Sequence, residues 1–545
     1  MGNLSKAAAS AWCLVAVLIA ACGGGSSGDE DGGDPSPSPL SEAQAARLLA
    51  QGTFGPTRAG IDAATGRTAE DWVQAQLQLA PTSHAARCRQ LPSDAGAIDR
   101  NSRTDAWWQI SLTAPDQLRQ RVAFALSQIM VVSDQSDLGN SQEGLCQYYD
   151  ILVRNAFGNY RTLLQDVTLS PQMGRYLSMQ GNSKPDEAAG RRADENFARE
   201  VMQLFSLGLV QLNNDGSAKR DSSGEPLPAY TQTDTENLAR TLTGWSWGGS
   251  SGYSSPVNWL DPMKAFDAQH DTTAKTLVGN VAVPAGGSAT ADLAIALDTL
   301  YRHANVGPFI GKQLIQKLVT SNPSPAYIAR VASAFNDDGR GVRGNLGAVV
   351  SAVLLDREAR LGLEANANFG KVREPLLRQT HLWRALDAVP PAGGRYSYRG
   401  AQSELGQLPL ASPSVFNFFS PGYVPEGELS AANLVTPEYQ LTNESSVARA
   451  ANRIFVSLYV DYVGNSSSAA SSIKIDYSRI GAYAGSIDAL IDELDTVFMS
   501  RQMPVEMHQL IATHVANYSA DNGGRARAQE ALYLILTSPQ YMVQQ

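Results

Sequence analysis

Residues 115–132 read PDQLRQRVAFALSQIMVV, and apolar side chains return in it at intervals of three and four, with Leu118, Val122 and Leu126 on one stripe. That period keeps one face of an α-helix buried, so the spacing predicts a helix. The same period recurs over 308–319 (PFIGKQLIQKLV), 346–358 (LGAVVSAVLLDRE), 486–500 (SIDALIDELDTVFMS) and 526–537 (ARAQEALYLILT). Pro308, Pro323 and Pro504 stand where helices would begin, and Ser41 with Gln44 makes a capping box. Strand-like alternation is brief, as from Thr276 to Val283. The expected fold is mainly α: a large helical body with a few short β-hairpins and long irregular loops. The segments 209–230, 245–290 and 395–440 are rich in Gly, Pro, Ser and Asn, and loops of such length are commonly functional or mobile.

The first forty residues bear on the compartment. Lys6 is the only charge before an apolar run from Ala11 to Ala21, which ends in Ile19-Ala20-Ala21-Cys22. Small residues before a cysteine are typical of bacterial lipoprotein signals, and the run is too short to span a bilayer. The expected layout is a lipoprotein signal peptide over 1–21, lipidation at Cys22, a flexible tether over 22–40 and one large α-rich domain over 41–545. The tether sequence, GGGSSGDEDGGDPSPSP, has no apolar side chain to bury. An ordinary cleaved signal peptide is the rival reading. The expectation is an extracytoplasmic protein, lipid-anchored at the bacterial cell envelope in the periplasm or at the outer membrane, with the membrane as its first partner.

Of the four cysteines, cleavage would discard Cys13 and acylation would use Cys22. Cys88 and Cys146 remain, and one pair in an oxidising compartment predicts one disulfide. The formal net charge of −10 and the lack of a Lys/Arg cluster argue against nucleic acid as a partner, because phosphate binding needs a positive footprint.

Two stretches read almost alike: Glu195-Asn196-Phe197-Ala198-Arg199 and Glu236-Asn237-Leu238-Ala239-Arg240. At about 100° per residue, Glu195, Asn196, Arg199, Glu200 and Gln203 fall on one helix face, opposite Phe197, Val201, Leu204 and Phe205. In the second stretch Glu236, Asn237 and Arg240 share a side with Asp234 at its edge, and Leu238, Leu242 and Trp245 lie opposite. The bland reading pairs the two faces, with Glu195 and Glu236 reaching Arg240 and Arg199. The functional reading leaves Glu200 or Asp234 free in a cleft as a general base or metal ligand, with Arg199 and Arg240 completing a catalytic set.

Taken in order, ENFAREVMQLFSLG, YTQTDTENLARTLTGW, FDAQHDTTAKTLVG, HANVGPFIGKQLIQKLVTSNPSP, LLDREAR and FGKVREPLLR resemble the bacterial domain of unknown function 1800 family. RLLAQGTFGPT near residue 47 and SPSVFNFFSPGY near 412 extend the likeness over almost the whole mature chain. The resemblance implies a mostly helical exported protein without an established activity. It also implies a neighbouring exported sulfatase-like protein of the domain of unknown function 1501 family as a partner, and it names no chemistry.

Further candidates come from the residues themselves. His270 beside Asp271 in a polar loop suits a divalent metal or a proton shuttle, and a metal set of His270, Asp271, His303 and Glu195 would assemble only through the fold. HExxH, HxH and CxxC patterns are missing from the sequence, and loop anchoring is the competing role. Lys371 and Arg373 open a helix and could grip an oxyanion, against a plain ion pair. Gly244-Trp245-Ser246-Trp247-Gly248 fits GxSxG but follows a helix instead of a strand, so Ser246 is set aside as a nucleophile. The segment from Gln211 to Glu225 lacks the end carboxylates of a calcium loop and reads as a polar hairpin turning at Asp215-Gly216. Trp245, Trp247, Tyr253 and Trp259, and separately Phe416, Phe418, Phe419 and Tyr423, form aromatic loops that bind sugar rings when exposed and anchor loops when buried.

Three function classes follow. The favoured one is a binding or assembly lipoprotein at the cell envelope that works with the sulfatase-like partner or a polysaccharide. The alternative is a hydrolase or lyase acting on extracytoplasmic polymers through clustered carboxylates, with or without a metal. A purely structural envelope component is the third.

Overall fold

Each predicted helix forms, and its ends follow local chemistry. The computed structural model describes residues 38–391, 394–460 and 472–545. The lipoprotein signal, Cys22 and nearly all of the tether lie outside them. Helix Glu42–Gly52 opens on the expected box, the Gln44 amide donating to Ser41 Oγ at 3.3 Å and the Ser41 amide to Gln44 Oε1 at 2.9 Å. The opening stretch forms Gln117–Ser127, buried along its full length. The second begins two residues before Pro308, as Val306–Leu318, since proline is tolerated anywhere in a first turn whose amides lack partners. Pro323 instead precedes the cap Ser324 of Pro325–Asn336, and Pro504 is itself the cap of Val505–Val515.

The 346–358 stretch breaks at Asp356, whose side chain caps a new short helix, Arg357–Leu361. Helix Ile487–Leu494 runs on as a π-helical turn, Asp495–Met499. Strands are few and paired in antiparallel twos: Lys275–Leu277 with Val281–Val283, Trp245–Ser246 with Lys264–Ala265, and Lys371–Val372 with Val543–Gln544. The polar hairpin also forms, the Gly216 amide donating to Asn213 O at 3.0 Å and isolated bridges joining Val210 to Pro228 and Leu212 to Ala218.

Pro39–Gln545 packs as one compact unit around a continuous apolar core. Its aromatic centre sets Trp108 edge-on to Trp107 and Trp383 at ring separations of 5.2 and 5.0 Å. A smaller apolar cluster of Ala85, Leu91 and Ala106 surrounds the Cys88–Cys146 disulfide, which ties helix His84–Arg89 to helix Gln142–Asn155. Among the described residues, no helix is long and apolar enough to cross a membrane.

Candidate functional site

The two ENxAR helices do not pair as their charged faces suggest. In helix Asn196–Gln203, Arg199 returns to Glu195 of its own helix at 3.0 Å. Gln232 bridges to the second helix, Gln232–Thr241, donating to Glu195 at 2.9 Å and to Glu236 at 3.3 Å. Arg240 turns to Asp271 at 2.8 Å, and Asp234 is the third residue of a capping box, accepting from the Thr231 amide at 2.8 Å. Glu200 departs from its expected face. It is 7% exposed among Phe197, Val201 and Met202, and its Oε2 meets no hydrogen-bond donor among the described residues. Burial raises its carboxyl above the usual range, with Arg199 opposing.

His270 sits in a buried polar node. Its Nε2 lies 3.1 Å from Asp292 and its Nδ1 2.9 Å from Thr243 O, while Lys275 Nζ reaches the same Asp292 oxygen at 2.8 Å. Thr243 Oγ1 accepts from the Asp271 amide at 2.9 Å. Burial pushes the Asp271 carboxyl up, but hydrogen bonds from Arg240 and Thr273 outweigh it and hold the group at about 2. Gly244 lets this node close: at φ +86° it lies where a Cβ would be 3.0 Å from the His270 amide nitrogen. The proposed metal set is not gathered. His303 receives the Asn305 amide on Nδ1 at 3.2 Å, Glu195 stays on Arg199, and among the described residues no three of His, Cys, Asp and Glu are placed to hold a metal. Asp292, on helix Ala289–Arg302, takes the partner role that a ligand set would have given to a metal.

Lys371 and Arg373 do not share an anion. Lys371 is buried against Glu438 at 3.1 Å, and Arg373 donates to Phe498 O at 3.0 Å with its guanidinium over the Tyr541 ring. Ser246 is buried in the strand Trp245–Ser246 and accepts from Gln180 at 2.8 Å. Trp245 and Trp247 are buried, Trp247 edge-on to Trp259 at 4.9 Å, so the first aromatic loop anchors itself. In the second loop Phe419 is buried and Phe416 is 55% exposed.

That second loop borders a cleft of about 440 Å³. Its floor is helix Val306–Leu318, and its walls are the 204–212 segment and the 415–422 loop. Asn305, just before the helix, donates to Leu207 O at 2.8 Å and Val210 O at 2.7 Å and accepts from the Leu212 amide at 2.9 Å, which pins one wall. Gln316 donates to Ser321 O at 3.0 Å and Pro421 O at 3.3 Å, which pins the other. Gly208, at φ +72°, allows the wall to approach Phe309, whose ring would stand 2.8 Å from a Cβ there.

Lys317 stands at the bottom of the cleft, 3% exposed. Its ammonium lies 3.8 Å from the Phe419 ring centre and, among the described residues, has no carboxylate at ion-pair distance and no hydrogen-bond acceptor. Burial pushes it down to about 8, against the pull of Glu374 and Glu438, while Lys371 and Arg121 push the same way as burial. Behind it, Glu374 accepts from Gln128 at 2.6 Å, and Arg121 donates to Lys317 O at 2.6 Å. Arg121, Lys317 and Lys371 face only two carboxylates, so the group carries one cation in excess. Periodicity held a signal for this site: a lysine stands three residues after Leu314 and seven after Ile310, on the apolar side of its helix.

A mostly helical protein whose ENxAR arginines pair internally and whose cleft is floored by a lysine is the class that fold and site define. The chain belongs to the family described as Protein of unknown function (DUF1800), whose match runs over residues 47–543. No curated protein and no solved structure matches it.

Proposed function

We propose that the chain is a binding or assembly lipoprotein of the cell envelope, anchored through Cys22, that holds a sulfatase-like exported protein of the domain of unknown function 1501 family. The observation that carries this reading is a pair of exposed apolar side chains on one helix, at the rim of its inward apolar side. On helix Glu444–Phe455, Val447 and Phe455 are 49% and 47% exposed, although a soluble surface helix would normally turn such side chains inward. The charged motifs support it indirectly, since Glu195, Asp234, Arg240 and Asp271 are each committed to an internal partner. A polysaccharide is the less favoured occupant, because sugar platforms need open ring faces and Trp245 and Trp247 are buried.

The test is interferometry between the mature chain and the purified sulfatase-like protein. Binding that weakens at least tenfold in Val447→Glu/Phe455→Glu, at an unchanged melting temperature, is the expected result. Binding to polysaccharide alone, or to neither, overturns the proposal. A hydrolase or lyase is kept as a second reading on one observation, the buried Glu200 with its raised carboxyl and unpartnered oxygen, which suits a proton donor. Depolymerisation of an envelope polysaccharide that vanishes in Glu200→Gln would decide for it.

A further inference from the structure

We propose that the cleft above helix Val306–Leu318 binds a monoanionic amphiphile, an extended alkyl carboxylic acid, with its carboxylate on Lys317 and its chain running out between Leu209 and Phe416. Three observations converge on this ligand class. The first is charge: three buried cations face two carboxylates, only Lys371 is at ion-pair distance from one of them, and of the other two it is Lys317 that lines the cleft, while Arg121 is turned to the Lys317 carbonyl. A buried cation needs a counter-charge, and a single carboxylate supplies it.

The second observation is the neighbouring donor. Gln313 lies one turn before Lys317 on the same face, and its Nε2 is buried without an acceptor among the described residues. An ammonium and an amide N–H together match the two oxygens of a carboxylate, whereas an alcohol would use only part of the pair. The third is the wall. Leu204, Leu207 and Phe309 line the way up from the floor, and Leu209 and Phe416 stand 61% and 55% exposed at its mouth. Such apolar walls with a few convergent polar groups are the usual make-up of a small-molecule site, and the volume lies in the usual range. An apolar acid is therefore complementary at both ends.

The probe is sodium decanoate, titrated calorimetrically into the mature chain, with decan-1-ol as the uncharged control of equal chain length. We expect one decanoate per chain, bound at least tenfold tighter than the alcohol. Lys317→Met, which keeps the stem and removes the charge, should erase that preference so that acid and alcohol bind alike. Should Lys317→Met fail to fold, Leu209→Asp at the exposed mouth decides, because it should weaken decanoate at least tenfold without touching the floor. No decanoate binding, equal binding of acid and alcohol by the unaltered chain, or full decanoate binding in Leu209→Asp would each overturn the assignment.

Discussion

Lys371 Nζ donates to the backbone carbonyl of Lys317 at 2.9 Å, so two lysines from separate elements meet at one oxygen inside the protein. Arg121 donates to that same carbonyl. The helix therefore ends in a knot of cations that only Glu374 and Glu438 offset, and the free ammonium is the one aimed at the cleft. Such an arrangement costs stability unless something else uses the charge.

Glu438 should accordingly be a carboxylate whose loss is felt strongly. Lys371 is its ion-pair partner at 3.1 Å, and both side chains are almost wholly buried. Glu438→Gln leaves a buried ammonium without its counter-charge, and breaking such a pair costs about 3–5 kcal/mol. Urea unfolding should show that loss, and Lys371→Met in the same background should restore much of it, because the ammonium that lost its counter-charge is then removed. A double variant as unstable as the single one would sink this account.

Asp271 makes stability depend on acid. Its folded carboxyl sits at about 2, below the ordinary value of 3.8, through Arg240 and Thr273. A depressed carboxyl contributes stability that is fully present above the unfolded value and is lost as pH falls through the folded one. The window is therefore about 3.8 down to about 2, with a contribution of about 2 kcal/mol. Asp271→Asn should be less stable than the unaltered chain at pH 7 by roughly that amount, and the gap should close across the window in urea titrations at stepped pH.

Helices were legible because their cause is local. Leu118, Val122 and Leu126 declare a face within twelve residues, and Ser41 with Gln44 declares a start within four. The cleft was not legible, because Arg121, Lys317, Glu374 and Glu438 are set together by packing between distant elements. His270 illustrates the difference. The sequence placed Asp271 beside it, yet its ring goes to Asp292 on the next helix, and Asp271 serves Arg240. Adjacency in the chain constrains backbones, whereas ring nitrogens go wherever a buried acceptor is found. Glu200 was misplaced for a related reason: helical periodicity assigned it to the charged face, while tertiary packing covers that part of the helix.

Glu200→Gln should stabilise the protein at neutral pH. A carboxyl raised on folding binds its proton more tightly in the folded state, so stability falls as pH rises above the unfolded value. The amide removes that penalty and can fill the same space. Differential scanning calorimetry should show a higher midpoint for the variant at pH 7 and no difference near pH 4. A lower midpoint at both would mean that the carboxylate has a donor that its surroundings do not reveal.

The disulfide gives the last prediction. Cys88 and Cys146 are 58 residues apart in sequence, and the cluster around them is small, with Ala85, Leu91 and Ala106 as its apolar members. Helix His84–Arg89 is also held at its start, where the His84 amide donates to Asp150 at 2.6 Å, and in its last turn, where Arg87 donates to Gln109 at 2.9 Å and Arg89 pairs with Glu143 at 2.7 Å. Closing a loop of that length constrains the unfolded chain by roughly 4 kcal/mol on the chain-entropy argument. Cys88→Ser/Cys146→Ser should lose stability of that order in urea, and because the Asp150 bonds and the main core persist, it should remain folded at 25 °C with native far-ultraviolet circular dichroism. Free-thiol titration of the unaltered, denatured protein should find neither of these two cysteines reactive. Two titratable thiols there, or a double-serine variant of unchanged stability, would remove the disulfide from the list of things that hold this chain together.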